Sequence, residues 1–310
     1  MNNLKKVGLT ALAGSLAAST AYAGVLEVTG SAGVKYQSRS GSSGTSSVQG
    51  NPWSDGNGIT FSGSGDLDNG MSVGYSYTMT DAAFSASSVT LDMGDTGTIA
   101  FGHDSAHGGI DTIKDKMPTA GEEVWDDIGT GDDAGVTDVG ADPSLYYSLN
   151  MSGMTISASY ARTGLGTDNS VAIVASELVD GMEFGIGTGT NVISNTSEDD
   201  LTTAYAKYTS GPITVGVQLS EIDKTAANSD LDRQAAAISF AVNENLSVSY
   251  GISNVEYENS TKTDAESTGI SASYTMGGIT LGAVSNKTDS FGGTSGTDKE
   301  FTEVSLKFAF

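Results

Sequence analysis

Apolar residues recur at every second position through most of the chain. Over 71–79, Met71, Val73, Tyr75, Tyr77 and Met79 fall on one face of an extended segment, and Ser72, Gly74, Ser76 and Thr78 fall on the other. Segments 154–160, 213–219, 246–252 and 279–285 follow the same rule, as does the end of the chain, where Val304, Leu306, Phe308 and Phe310 alternate with Ser305, Lys307 and Ala309. A period of two predicts strands with two unlike faces, and helical periodicity is nearly absent. One face of each strand is apolar and the other carries Ser, Thr, Gly or charge.

The connections alternate in kind. Tight clusters suited to hairpins stand at 68–70, 94–97, 152–153, 180–181, 210–211, 243–245 and 277–278. Between them lie longer polar stretches, at 37–56, 104–143, 191–199, 223–230, 258–264 and 289–298, with a short one at 80–83. Seven short turns and about eight longer connections give about sixteen strands. An even number of antiparallel strands, with short turns on one side and long loops on the other, predicts an all-β fold: a transmembrane antiparallel β-barrel with short periplasmic turns and long extracellular loops. Closure also accounts for the last strand, whose aromatic face would otherwise be an exposed edge. By parity Val28, Ala32, Val34 and Tyr36 face lipid, and Glu27, Thr29, Ser31 and Lys35 face a polar lumen. Tyr36, Tyr77, Tyr147, Tyr160, Tyr208 and Tyr257 suit one aromatic girdle, with Phe308 and Phe310 at the other rim.

The first residues are not part of this fold. Lys5 and Lys6, the apolar stretch 7–18 and Ala21-Tyr22-Ala23 have the layout of a secretory signal peptide, so residues 1–23 are read as a leader and 24–310 as the barrel. The formal net charge of −24 argues against nucleic acid as a partner and favours water and cations. With no cysteine, a disulfide scaffold and a thiolate metal site are excluded.

One connection stands apart. Residues 104–143 carry eleven carboxylates against Lys114 and Lys116. A loop this long is functional or disordered, and its buriable Ile110, Ile113, Val124 and Trp125 favour a folded one. Folded inward after the fifth strand, it would narrow the lumen and place Asp111, Asp115, Glu122, Glu123, Asp126, Asp127, Asp132 and Asp133 at a constriction, raising local cation concentration. Lys35, Lys207 and Arg233 are the candidates for an opposing basic wall, or else they neutralise carboxylates such as Glu27 and Glu303. The other reading of the loop is a solvated acidic surface. His103 and His107 precede a glycine pair and do not form a metal site by spacing. The loop's carboxylates could bind Ca²⁺ adventitiously, and no other cofactor is implied. No Ser/His/Asp motif is present, so the chain is not read as an enzyme.

The leader, the opening 24–36, strand starts after tight turns, the acidic loop after the fifth strand and the terminal Phe308-Ala309-Phe310 together resemble a general outer-membrane porin of alphaproteobacterial type. The resemblance implies a sixteen-stranded barrel in the cell outer membrane and surrounded by its lipid. It implies a homotrimer passing ions and small hydrophilic solutes by diffusion, with the loop at 104–143 as the constriction. It further implies recognition by the barrel-assembly machinery through the strand ending at Phe310. The short connection at 80–83 departs from porins whose corresponding loop latches onto a neighbouring subunit, and the wall lacks an arginine cluster, which makes cation preference the expectation. The alternative function is a non-conducting outer-membrane barrel with an adhesion or envelope-structural role.

Overall fold

The computed structural model describes residues 26–41, 51–103, 108–126, 128, 139, 144–176 and 178–310. The leader read at 1–23 lies outside them. The first eight strands are β1 (Glu27–Gly41), β2 (Trp53–Asp66), β3 (Ser72–Thr80), β4 (Ala83–Asp92), β5 (Thr98–His103), β6 (Ser144–Met151), β7 (Met154–Arg162) and β8 (Thr167–Ala175). They are followed by β9 (Met182–Ser194), β10 (Ser197–Ser210), β11 (Ile213–Lys224), β12 (Leu231–Ala241), β13 (Leu246–Tyr257), β14 (Ala265–Met276), β15 (Ile279–Asp289) and β16 (Lys299–Ala309).

Each strand pairs with its neighbours in sequence, and β16 returns to β1, so the sheet is a closed barrel. The seam runs antiparallel from Ser31 opposite Ala309 to Gly41 opposite Lys299. It is finished by a reciprocal pair of hydrogen bonds, in which the Gly30 amide donates to the Phe310 carbonyl at 2.8 Å and the Phe310 amide donates to Gly30 at 2.9 Å. A Cβ on Gly30 would lie 2.6 Å from Phe310 Cζ, so the terminal ring lies over this glycine on the outer face. Pairing from Gly30 to Gly41 thus keeps the seam's backbone groups from facing hydrocarbon unpaired.

Strands β3 to β8 have 6 to 10 residues, whereas the remaining ten have 11 to 15. About 9–11 residues suffice to cross a bilayer, so the longer strands overshoot it. Their extracellular ends invert the polarity rule. On β11 the exposed outer positions run Ile213, Val215, Val217, Leu219 and then Glu221 and Asp223, while Ile222 turns inward and is buried. Outer Asp200, Asp232, Glu256 and Glu266 continue the acidic band, and Leu201, Leu231, Val255 and Ala265 are buried inside it. The switch marks where the outer surface leaves lipid for water.

This inversion corrects two expectations. Residues 191–199 form no long loop: β9 and β10 continue to Ser194 and Ser197, with Asn195-Thr196 as the turn and a bulge at Ser197 and Glu198. Above the lipid boundary both faces are free to carry polar groups, so the alternation that reveals a strand is lost. Tyr257 likewise faces the lumen, packed against the interior cluster. The aromatic rims also divide differently. Tyr147 donates to the Thr96 carbonyl at 2.8 Å and Tyr208 lies against Gly181, which places both at the short-turn end with Phe308 and Phe310.

The 80–83 connection is a two-residue hairpin turn with Asp81 at φ 50° and Ala82 at φ 63°. Both lie in the left-handed region that a primed turn requires and that costs an L-residue about 1 kcal/mol. The Asp81 amide donates to the Asn57 carbonyl, and the Asp81 carboxylate accepts from the Asn57 amide, each at 3.0 Å. Ala82→Gly is expected to raise the unfolding free energy by about 1 kcal/mol, read by urea unfolding of the detergent-folded barrel; an unchanged or lower midpoint would contradict the assignment.

Candidate functional site

The chain leaves β5 at His103 and returns at β6 with Ser144. Between them Ile110, Ile113, Met117, Val124, Trp125, Ile128 and Val139 are all buried. All of these but Ile128 form a cluster with inward-facing Ala172, Leu201, Tyr205, Ile222, Leu231 and Ala235 of the barrel wall. The described part of this loop therefore lies inside the barrel.

Glycines on the inner face allow that approach. On β9, Gly185, Gly187 and Gly189 occupy three successive inward positions. A Cβ at Gly187 would lie 2.8 Å from Ile113 Cδ1 and 2.9 Å from the Val171 carbonyl oxygen, and one at Gly189 would lie 3.2 Å from Val139 Cγ2. Gly216 on β11 similarly receives Pro118 and Met117, and Gly251 on β13 receives Val124. The wall is thinned where the loop's apolar side chains need room.

The described part of the loop backbone has a short 3-10 turn, Gly109–Thr112, and otherwise no regular ladder, so most of its polar groups need partners from elsewhere. Inward side chains supply them. Ser170 Oγ on β8 accepts from the Ile110 amide at 2.9 Å, and Ser249 Oγ on β13 accepts from the Ala120 amide at 2.9 Å. Asn286 Nδ2 on β15 donates to the Glu123 carbonyl at 2.9 Å and the Asp126 carbonyl at 3.3 Å. Gln218 on β11 holds Lys114 and Lys116 by their backbone. With Thr112 Oγ1 3.2 Å from Ser157 Oγ on β7, the loop follows the inner wall from β7 to β15. Against β1 to β4 there remains a cavity of about 360 Å³ lined by Glu27, Ser62, Ser64, Ser76, Ser88 and Thr90.

The acidic candidates take different positions. Asp111 accepts from the Val139 amide at 3.0 Å and ties the two limbs of the loop together. Asp115 is exposed, whereas Glu122, Glu123 and Asp126 are half-buried. The Glu123 amide donates to Asp126 Oδ2 at 3.0 Å. Burial, then the adjoining Asp126 carboxylate, push the Glu123 carboxyl up to about 8. Burial, with Lys207 beside it, pulls the Lys116 ammonium down from the ordinary lysine range. Asp127, Asp132 and Asp133 lie outside the described residues.

The three basic candidates do not share one wall. Lys35 on β1 bonds Glu303 at 3.1 Å, and Glu303 also accepts from Gln37 Nε2 at 2.8 Å. Lys207 on β10 bonds Glu183 at 2.9 Å, and Tyr205 donates to the same carboxylate at 2.6 Å. Arg233 on β12 is 2% exposed and its guanidinium stacks 3.8 Å from the Trp125 ring centroid, beneath the loop. Lys207 and Arg233 thus come from the arc that carries the loop, and Lys35 alone stands outside it. His103 packs edge-on against Phe84, 5.1 Å between centroids, and His107 lies outside the described residues. Among the described residues no group of three His, Asp or Glu is placed to hold a metal.

Sequence reasoning missed the anchors Gln218 and Asn286, the Glu183–Lys207–Tyr205 cluster and the glycine track. A signal existed for two of these: Gln218 is a lone carboxamide on an inner face of small residues, and Gly185, Gly187 and Gly189 recur at a spacing of two.

A closed sixteen-strand barrel with an apolar outside, a hydroxyl-lined inside and a loop docked within it defines a membrane-spanning β-barrel. A model of the Gram-negative porin family matches residues 8–310, and the chain belongs to that family. It is an outer-membrane porin. Among solved structures, an anion-selective porin from Comamonas acidovorans is similar at TM-score 0.73 and 14% identity, over 93% of this chain and 100% of that one. A mutant porin of Rhodopseudomonas blastica is similar at TM-score 0.68 and 14% identity, over 92% and 100%. A porin refined at 1.8 Å shares 19% identity at TM-score 0.65, over 92% and 100%. Among curated sequences nothing matches significantly.

Two outcomes are expected from this geometry. Gly187→Val, whose side chain has no room between Ile113 and the β8 backbone, should displace the loop and destabilise the barrel by about 1–3 kcal/mol in urea unfolding; an unaffected midpoint would mean the loop is not seated there. A carboxyl raised above its unfolded value is protonated in the folded protein through neutrality, and its stabilising effect is lost as pH rises from about 4.5 through about 8. An infrared titration should therefore show a protonated carboxyl band disappearing near pH 8, absent in Glu123→Gln. Loss of that band below pH 5 would contradict the burial of Glu123.

Proposed function

We propose that this porin is a passive diffusion channel for ions and small hydrophilic solutes, that the loop between β5 and β6 is its constriction, and that it prefers cations. The observation that supports the constriction most directly is the hydrogen bonding of the loop backbone to inward-facing Ser170, Gln218, Ser249 and Asn286. Such a loop narrows the passage to the side lined by β1 to β4. Asp115 supports cation preference as the exposed carboxylate among the described residues of the docked segment, and Lys35 and Lys207 are each bonded to a glutamate. Asp111, Glu122, Glu123 and Asp126 add to the negative potential, and Asp127, Asp132 and Asp133 belong to the same acidic loop. Arg233, neighboured by Asp115, Glu123 and Asp126, offsets part of that charge from beneath.

The reading extends to a homotrimer meeting through the short wall, β3 to β8, where exposed Phe84, Val89, Phe101 and Leu145 cover less height than the other side. The two-residue turn at Asp81 and Ala82 is too short to reach across to a neighbour, so such a trimer would be held by its walls.

Planar-bilayer recording across a KCl gradient tests the function. Stepwise conductance with a reversal potential on the potassium side is expected, and Asp115→Asn should lower the potassium-to-chloride permeability ratio by a factor of about two to five, the effect of one charge a few Å from an ion in water. Anion-preferring steps would move control to the wall bases. Silence from folded protein would favour the adhesion or envelope-structural barrel.

A further inference from the structure

Gln218 is 0% exposed and bonds three backbone groups within one stretch of the loop, residues 113–116. Its Oε1 accepts from the Lys116 amide at 3.2 Å, and its Nε2 donates to the Lys114 carbonyl at 2.7 Å and to the Ile113 carbonyl at 3.0 Å. Thr203 Oγ1, 3.0 Å from the same nitrogen on the adjacent strand, holds the carboxamide from behind. A carboxamide that accepts from residue 116 and donates to residue 114 behaves as a peptide group of an extra strand, and pairs with the loop in one register only.

That register decides which charges face the passage. With Ile113 inserted against Gly187, Lys114 is half-buried, Asp115 is exposed, and Lys116 is half-buried with Lys207 and Glu183 as its electrostatic neighbours. A slip of one residue along the same backbone path would put Lys114 or Lys116 at the exposed position in place of Asp115. We propose that Gln218 is a positioning residue for ion selectivity, fixing the register of Lys114-Asp115-Lys116 so that the carboxylate and not an ammonium lies on the ion path. The proposal rests on the pore reading above. Leucine at this position would leave the three loop groups without their partner, and glutamate would set a carboxylate oxygen against two carbonyls.

The test is a double-mutant cycle read as the potassium-to-chloride permeability ratio, using wild type, Asp115→Asn, Gln218→Leu and the pair, each first shown to be folded by heat-modifiable electrophoretic mobility. If Gln218→Leu does not fold, Gln218→Glu takes its place in the same cycle. Asp115→Asn should lower the ratio about two- to fivefold in the wild-type background and by less than about 1.5-fold when Gln218 is replaced, because the charge has already left the path. Gln218→Leu alone should lower the ratio in the same direction and add current noise. Equal factors for Asp115→Asn in both backgrounds would overturn the proposal while leaving the pore intact, since a merely structural role would add noise without coupling. A wild-type protein that does not conduct would instead overturn the pore reading, and the proposal with it.

Discussion

A sheet surrounded by hydrocarbon cannot leave an edge unpaired, and every other feature of this molecule follows from meeting that constraint. The seam between β1 and β16, closed by the reciprocal Gly30 and Phe310 hydrogen bonds, turns sixteen strands into a cylinder. Closure then assigns each side chain to one of two solvents by parity alone. Outer positions in the membrane must be apolar, and inner positions are free to be Ser, Thr and Gly, too small to fill a barrel of this width. An open polar lumen is the direct result, and it is what makes an internal loop useful.

That loop meets the same constraint on a smaller scale. Its backbone enters a narrow space without a ladder of its own, so it borrows partners from inward carboxamides and hydroxyls and slots its few apolar side chains over glycines. Docking and electrostatics are thereby coupled: the contacts that seat Ile113 and Val124 also leave Asp115 exposed and bury Glu123 beside Asp126, which pushes the Glu123 carboxyl up. Arg233 takes part from behind, stacked on Trp125.

Much of the fold was legible in the sequence because parity and turn chemistry are local. The alternation at 213–219 and the glycine pair at 277–278 each announce a strand or hairpin within a few residues. Legibility ended where the solvent changed. At Glu198 and Asp200 the outer face meets water, the alternation disappears, and a continuous hairpin reads as a loop. The acidic segment after β5 was visible by its charge and length, but its contacts join residues more than a hundred positions apart, such as Lys116 with Gln218 and Glu123 with Asn286. Nothing local marks which inward base lies beneath a loop and which stands across from it, so Arg233 and Lys35 looked alike.

The central claim, that the acidic loop lies across the ion path, can be tested most directly by chemical access from within an open channel. The chain has no cysteine, so Asp115→Cys introduces a single thiol. During single-channel recording, a cationic thiol-specific reagent should lower the current in discrete steps, one for each labelled pore, and faster than an anionic reagent of the same size. Complete labelling with no change in current would place Asp115 off the path and contradict the account.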